Sequence, residues 1–162
     1  ESSQTKYTVM VGDNYHYTDE SNRYELGSFD SLNEARSAAM KIVDEFLIEN
    51  KQPIALGSAS KNARAILERV NLLDTFNAIV DGNDVSKTKP NPEVFLNAAK
   101  ILQVKPEKCI VFEDAVAGIQ AANNANMISI GIGEKEVLKK ADYVFKDFTE
   151  ISFEFLEELI KR

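Results

Sequence analysis

The stretch KCIVFEDAVAGIQAA, residues 108 to 122, runs an apolar segment into two adjacent carboxylates, Glu113 and Asp114, and then into a helical run of small residues. The apolar run CIVF followed by helix formers describes a buried strand feeding a helix, the unit of a parallel α/β sheet. Two like charges at the mouth of such a strand repel each other and lose hydration, so a positive group is expected beside them. Mg²⁺ meets that need, because it takes oxygen ligands from one or two carboxylates and the rest from water and phosphate. The competing reading is structural: Asp is a good N-cap, and acids favour a helix N-terminus.

The same alternation repeats on either side. From Pro53, PIALGS is a strand, and SKNARAILERVNLL places Ala63, Ile66, Leu67 and Val70 at helical spacing. FNAIVDG, CIVFED and MISIGIG follow as strands, with the helix of TKPNPEVFLNAAKIL (Pro92 in its first turn) and that of AVAGIQAANNA between them. ADYVFKDF is a short edge strand, and SFEFLEELIKR an amphipathic closing helix. This β-α-β-α-β-α-β order predicts a three-layer, Rossmann-like parallel sheet with helices on both faces and chemistry at the C-terminal ends of the strands.

Residues 1 to 52 have a different pattern, and 53 to 162 read as the core unit. KYTVMVGDNYHY and RYELGSF are strand-like, and LNEARSAAMKIVDEFLIEN is a helix with Leu32, Ala35, Ala39, Ile42, Val43 and Phe46 on one face, giving β-β-α. The charged IENKQ is the candidate joint. The chain opens on ESSQTK rather than a methionine, which suggests trimming or fusion, natural or engineered.

The 162 residues carry a net charge of −7 and 44% hydrophobic residues, enough for a core and adverse to a nucleic-acid surface. The single cysteine, Cys109, lies inside an apolar run and forms no internal disulfide, so a reducing cytoplasm is expected. No apolar run approaches the roughly 20 residues of a membrane span, and no leader pattern opens the chain. His16 sits among Tyr15 and Tyr17 with no visible partner and reads as structural, as do Tyr7 and Tyr24.

Reading the strand ends in order gives Ser58, then Lys89, then Glu113 and Asp114: a hydroxyl, an ammonium and two carboxylates, the equipment of a phosphoryl site. In this order the segments LGSASKN, KTKPNPEVF and VFEDAVAGIQAA resemble three motifs of the haloacid dehalogenase (HAD) superfamily, most closely its β-phosphoglucomutase-like branch, over about residues 53 to 162. The resemblance implies Mg²⁺-dependent phosphoryl transfer on a sugar phosphate or similar phosphorylated small molecule. It implies that Ser58 and the backbone N–H of Ala59 hold the transferring group, that Lys89 neutralises it, that Glu113 and Asp114 help hold Mg²⁺, and that Lys61 and Asn62 meet the substrate's non-reacting phosphate.

The family also places an Asp-x-Asp motif at the end of its first strand, the first Asp attacking phosphorus and the second serving as acid and base. Here Asp13 is the one comparable acid, and position 15 is Tyr. The helical cap between the first strand and its following helix is absent too, so the expected fold is a HAD-type sheet whose N-terminal β-β-α segment replaces the usual first strand and cap. The central slot between IALGS and CIVFE cannot stay open, because two apolar edges would be left unpaired. Either YTVMV fills it, bringing Asp13 to the active mouth, or residues 1 to 50 form a separate unit and two chains pair as a strand-exchanged homodimer. Impaired catalysis is the expectation; the alternative is a non-catalytic chimera or binding scaffold built on a partial HAD domain.

Overall fold

The structure, a computed structural model, describes residues 8–13, 41–69 and 71–161. Among the described residues six strands form one sheet: β1 (Thr8–Asp13), β2 (Ile54–Ser58), β3 (Ala78–Val80), β4 (Cys109–Glu113), β5 (Ile128–Ile132) and β6 (Tyr143–Phe145), in the order β3-β2-β1-β4-β5-β6. Every neighbouring pair is parallel. Such a sheet must be covered on both faces, which is why β2 and β4 are buried along their whole length.

The slot between β2 and β4 is filled by the chain's own β1. Val9 registers with Ile54 and Asp13 with Ser58 on one side, and Thr8 registers with Cys109 and Val11 with Phe112 on the other. Completing the sheet therefore takes no second copy. The second strand RYELGSF and the helix start expected in 14–40, with His16 and the tyrosines Tyr15, Tyr17 and Tyr24, lie outside the described residues, as does Tyr7.

The α-helices among the described residues are α1 (Ala63–Arg69), α2 (Glu93–Leu102), α3 (Val116–Asn124) and α4 (Phe153–Ile160). On one face of the sheet, Met10, Ala55, Val80 and Val111 pack with Val94, Phe95 and Ala98 of α2 and Ala121 and Ala122 of α3. On the other, Ile54, Ile110, Phe112 and Ile130 pack with Ile42, Phe46 and Leu47 and with Leu156 and Leu159 of α4. Ser152 caps α4 by accepting a hydrogen bond from the Phe155 N–H at 3.1 Å.

Two local expectations are corrected. The segment Ile42–Ile48 is wound as a π-helix rather than an α-helix; the wider turn brings Leu47 inward beside Ile42 and Phe46. In α1, Ala63 and Leu67 are buried but Ile66 is 40% exposed, because this short helix covers only a small apolar patch around Leu56.

Candidate active site

β1, β2 and β4 are adjacent and end at the same rim, so their last residues come together. Asp13 and Ser58 are paired across β1 and β2. The last pairing of β1 with β4, Val11 with Phe112, is followed by Glu113 at the end of β4 and by Asp114 just past it.

Ser58 is fully buried, and its hydroxyl oxygen accepts a hydrogen bond from the Ser60 N–H at 3.1 Å. This bond turns the chain sharply after β2 and presents Ala59, half-buried, at the rim. The Ser60 hydroxyl in turn accepts from the Asn62 N–H at 3.2 Å. Lys61 and Asn62 are exposed. Their loop is tied to the one after β3: the Asn83 side-chain amide donates to the Lys61 carbonyl at 3.0 Å, and the Gly82 N–H to the Ser60 carbonyl at 3.1 Å. Buried Asp81 anchors that second loop, accepting from the Asn83 N–H at 2.8 Å and from Arg64 at 3.3 Å.

Lys89 crosses from its loop into the interior. Its Nζ donates to Oε2 of Glu113 at 2.8 Å, and the two side chains are 3% and 0% exposed. On the way the ammonium passes over the Phe95 ring, 5.0 Å from its centroid. The same ring packs against β2 at Gly57, where an added Cβ would lie 2.9 Å from Phe95 Cε1. Phe95 thus joins the lysine to the end of β2.

Glu113 is held as closely from the α3 side. A Cβ at Gly118 would lie 2.0 Å from Glu113 Cδ and 2.1 Å from Oε2, so α3 can pass the carboxylate only because it carries glycine there. Burial pushes the Glu113 carboxyl up to about 7; Lys89 pulls against this, while neighbouring Asp114 adds to the rise. Asp114 is exposed and does not cap α3, whose N-cap is Ala115 with no side-chain cap bond. The capping explanation for the paired acids therefore fails, and the two carboxylates stand side by side at the rim. Among the described residues no group of three or more His, Cys, Asp or Glu side chains could hold a metal ion. Glu113 and Asp114 offer at most two protein ligands, the number Mg²⁺ takes when water and phosphate complete its shell.

Sequence reasoning missed two contacts made by the loop that carries Lys89. Glu93, at the start of α2, accepts from the Ser86 N–H at 3.0 Å and the Lys87 N–H at 2.8 Å, and these contacts hold its carboxyl below its ordinary range. The Asn124 side-chain amide donates to the Pro90 carbonyl at 3.1 Å. In sequence Glu93 is only an acid at a helix start and Asn124 only a polar helix residue.

A family model for haloacid dehalogenase-like hydrolases matches residues 19–126. The chain belongs to that family. It is 42% identical over 105 residues to β-phosphoglucomutase of Bacillus subtilis, covering 65% of this chain and 46% of that protein. It is 39% identical over 84 residues to fructose-1-phosphate phosphatase YqaB of Escherichia coli, covering 51% and 45%. The crystal structure of β-phosphoglucomutase from Clostridium difficile superposes with a TM-score of 0.72 at 37% identity, covering 82% of this chain and 61% of that one. The chain spans about half the length of these curated relatives. No helix among the described residues is long and apolar enough to cross a membrane.

Proposed function

We propose that this chain carries a Mg²⁺-dependent phosphoryl-transfer site for a sugar phosphate or similar phosphorylated metabolite, of the β-phosphoglucomutase or sugar-phosphate phosphatase type. The observation that supports this reading best is the buried Lys89–Glu113 pair, 2.8 Å apart, at the rim where β1, β2 and β4 end. A buried ion pair is a poor device for stability, since desolvation offsets most of its attraction. It makes sense where an anion and a cation must both be received.

In this reading the Ser58 hydroxyl and the Ala59 N–H hold the transferring phosphoryl group, and Lys89 neutralises its charge as it builds up. Glu113 and Asp114 hold Mg²⁺, which would supply electrostatic stabilisation of the phosphoryl oxygens when bound. Lys61 and Asn62, exposed on the loop beyond Ser58, meet the non-reacting end of the substrate. Asp13 is the nucleophile: its carboxylate oxygen bonds to phosphorus as the bond from phosphorus to the leaving oxygen breaks, and water later hydrolyses the aspartyl-phosphate.

Tyr15 stands where the resemblance expects a second Asp, and a phenol protonates a leaving alkoxide poorly at neutral pH. Turnover should therefore depend on the leaving group. p-Nitrophenyl phosphate, whose phenolate leaves without a proton, should be cleaved slowly with Mg²⁺, and β-glucose 1-phosphate hardly at all. Loss of p-nitrophenyl phosphate turnover in both Asp13→Asn and Asp114→Asn supports the assignment. No turnover in the parent chain, together with no binding of inorganic phosphate, supports a scaffold instead.

A further inference from the structure

We propose that Glu93 is a positioning residue for Lys89, its carboxylate fixing the Ser86–Lys87 segment in the form that delivers the lysine to Glu113. An acid in the first turn of a helix is common, because it interacts favourably with the helix dipole, and it needs no partner. Glu93 instead turns back onto the preceding loop and uses both oxygens. Oε1 accepts from the Ser86 N–H at 3.0 Å and from the Ser86 hydroxyl at 3.2 Å; Oε2 accepts from the same hydroxyl at 3.0 Å and from the Lys87 N–H at 2.8 Å. Hydrogen bonds to an ionised carboxylate are shorter and stronger than neutral ones, so this is a tight clasp.

The clasp closes a small ring of chain with Lys89 inside it. Within the ring the Asn91 N–H donates to the Thr88 carbonyl at 3.0 Å, and the Asn91 side-chain oxygen accepts from the Glu93 N–H at 3.1 Å. Asn124 of α3 holds the Pro90 carbonyl from outside. Lys89 leaves this ring in the other direction, over Phe95 and into Glu113. A long lysine side chain loses much rotamer freedom when buried, so its backbone must be set in advance if the ammonium is to be found reliably at one place. Glu93 touches neither Lys89 Nζ nor Glu113 in any of these contacts; it acts through the backbone.

The test compares Glu93→Asp and Glu93→Gln with the parent chain. Aspartate serves a helix start as well as glutamate but is one methylene too short to clasp both Ser86 and Lys87. A helix-start role therefore predicts that Glu93→Asp behaves as the parent does, whereas a positioning role predicts that both variants fail alike. Two readouts are taken. The first needs no ligand: the Lys89 ammonium signal in a ¹H–¹⁵N correlation, assigned through its side-chain carbons and protected from exchange by burial, should broaden or vanish in both variants. The second rests on the proposed function: the dissociation constant for inorganic phosphate with Mg²⁺ should rise about tenfold or more, the range of one charged hydrogen bond. Melting temperatures should stay within a few degrees of the parent. An unchanged ammonium signal in Glu93→Asp overturns the proposal, and so does loss of the fold in that variant, which would make Glu93 a stabilising residue only. If the parent binds no phosphate, the functional reading fails while the ammonium signal still decides the role of Glu93.

Discussion

Replacing Gly118 with alanine tests how tightly the Lys89–Glu113 pair is held. The new Cβ would fall 2.0 Å from Glu113 Cδ, against a comfortable carbon–carbon separation of about 3.5–4.0 Å, so the carboxylate or the helix must move by roughly 1.5–2 Å. A displacement of that size takes the 2.8 Å contact with Lys89 past the limit of about 3.2 Å for a good N–H···O bond. Two costs then compete. Overpacking a core commonly costs about 1–3 kcal/mol. Separating the buried pair while both groups are charged costs more, up to the roughly 3–5 kcal/mol of removing one partner, and above about pH 7, where Glu113 is ionised, this larger cost should set the outcome. For a chain of this length the corresponding fall in melting temperature is about 6–20 °C. Calorimetry on the parent and Gly118→Ala measures it, and the Lys89→Met/Glu113→Gln background separates the two costs. In that background no charge can be stranded, so only the overpacking cost of about 1–3 kcal/mol should remain. A Gly118→Ala variant that melts within about 2 °C of the parent would refute this account of the helix approach.

The Glu113 carboxyl also makes stability depend on pH. Its folded value of about 7 lies above the ordinary 4.5, so between those values the folded protein binds more protons than the unfolded chain. In metal-free solution this contribution is full below about 4.5 and is lost as the pH rises through about 7; urea titrations across that window should show the decline in the parent and not in Glu113→Gln. Cys109 is fully buried, and burial pushes its thiol up to about 12. A disulfide reagent at pH 8 should therefore label the denatured chain and leave the native one untouched over minutes, and rapid stoichiometric labelling of native protein would contradict the packing of β4.

The sheet was legible from Pro53 onward because each strand there is built on an apolar run and the helices between them carry apolar residues at helical spacing, even though Asp114, which reads as a cap, does not cap α3. β1 was only half legible: the cost of leaving β2 and β4 unpaired required some strand in the slot, but the sequence left open whether YTVMV or a second copy of the chain would supply it. What the sequence could not reveal depends on partners distant along the chain. Lys89 and Glu113 lie 24 residues apart, and nothing local to KTKPNP says that its lysine is buried rather than solvated. Gly118 reads as one small residue among several until the carboxylate packed against it is seen. Glu93 reads as ordinary helix-start chemistry, and its grip on Ser86 and Lys87 exists only because the loop folds back. The π-helical winding of Ile42–Ile48 was hidden because a 3.6-residue period and a wider one predict the same inward Ile42 and Phe46 and differ only at Leu47.

Crystals grown with Mg²⁺ and inorganic phosphate would locate the anion directly. Phosphate is expected within hydrogen-bond reach of the Ser58 hydroxyl, the Ala59 N–H and Lys89 Nζ, with a metal ion held by the Glu113 and Asp114 carboxylates. Phosphate bound at another surface, with the Lys89–Glu113 pair unaltered and no metal at Asp114, would contradict it.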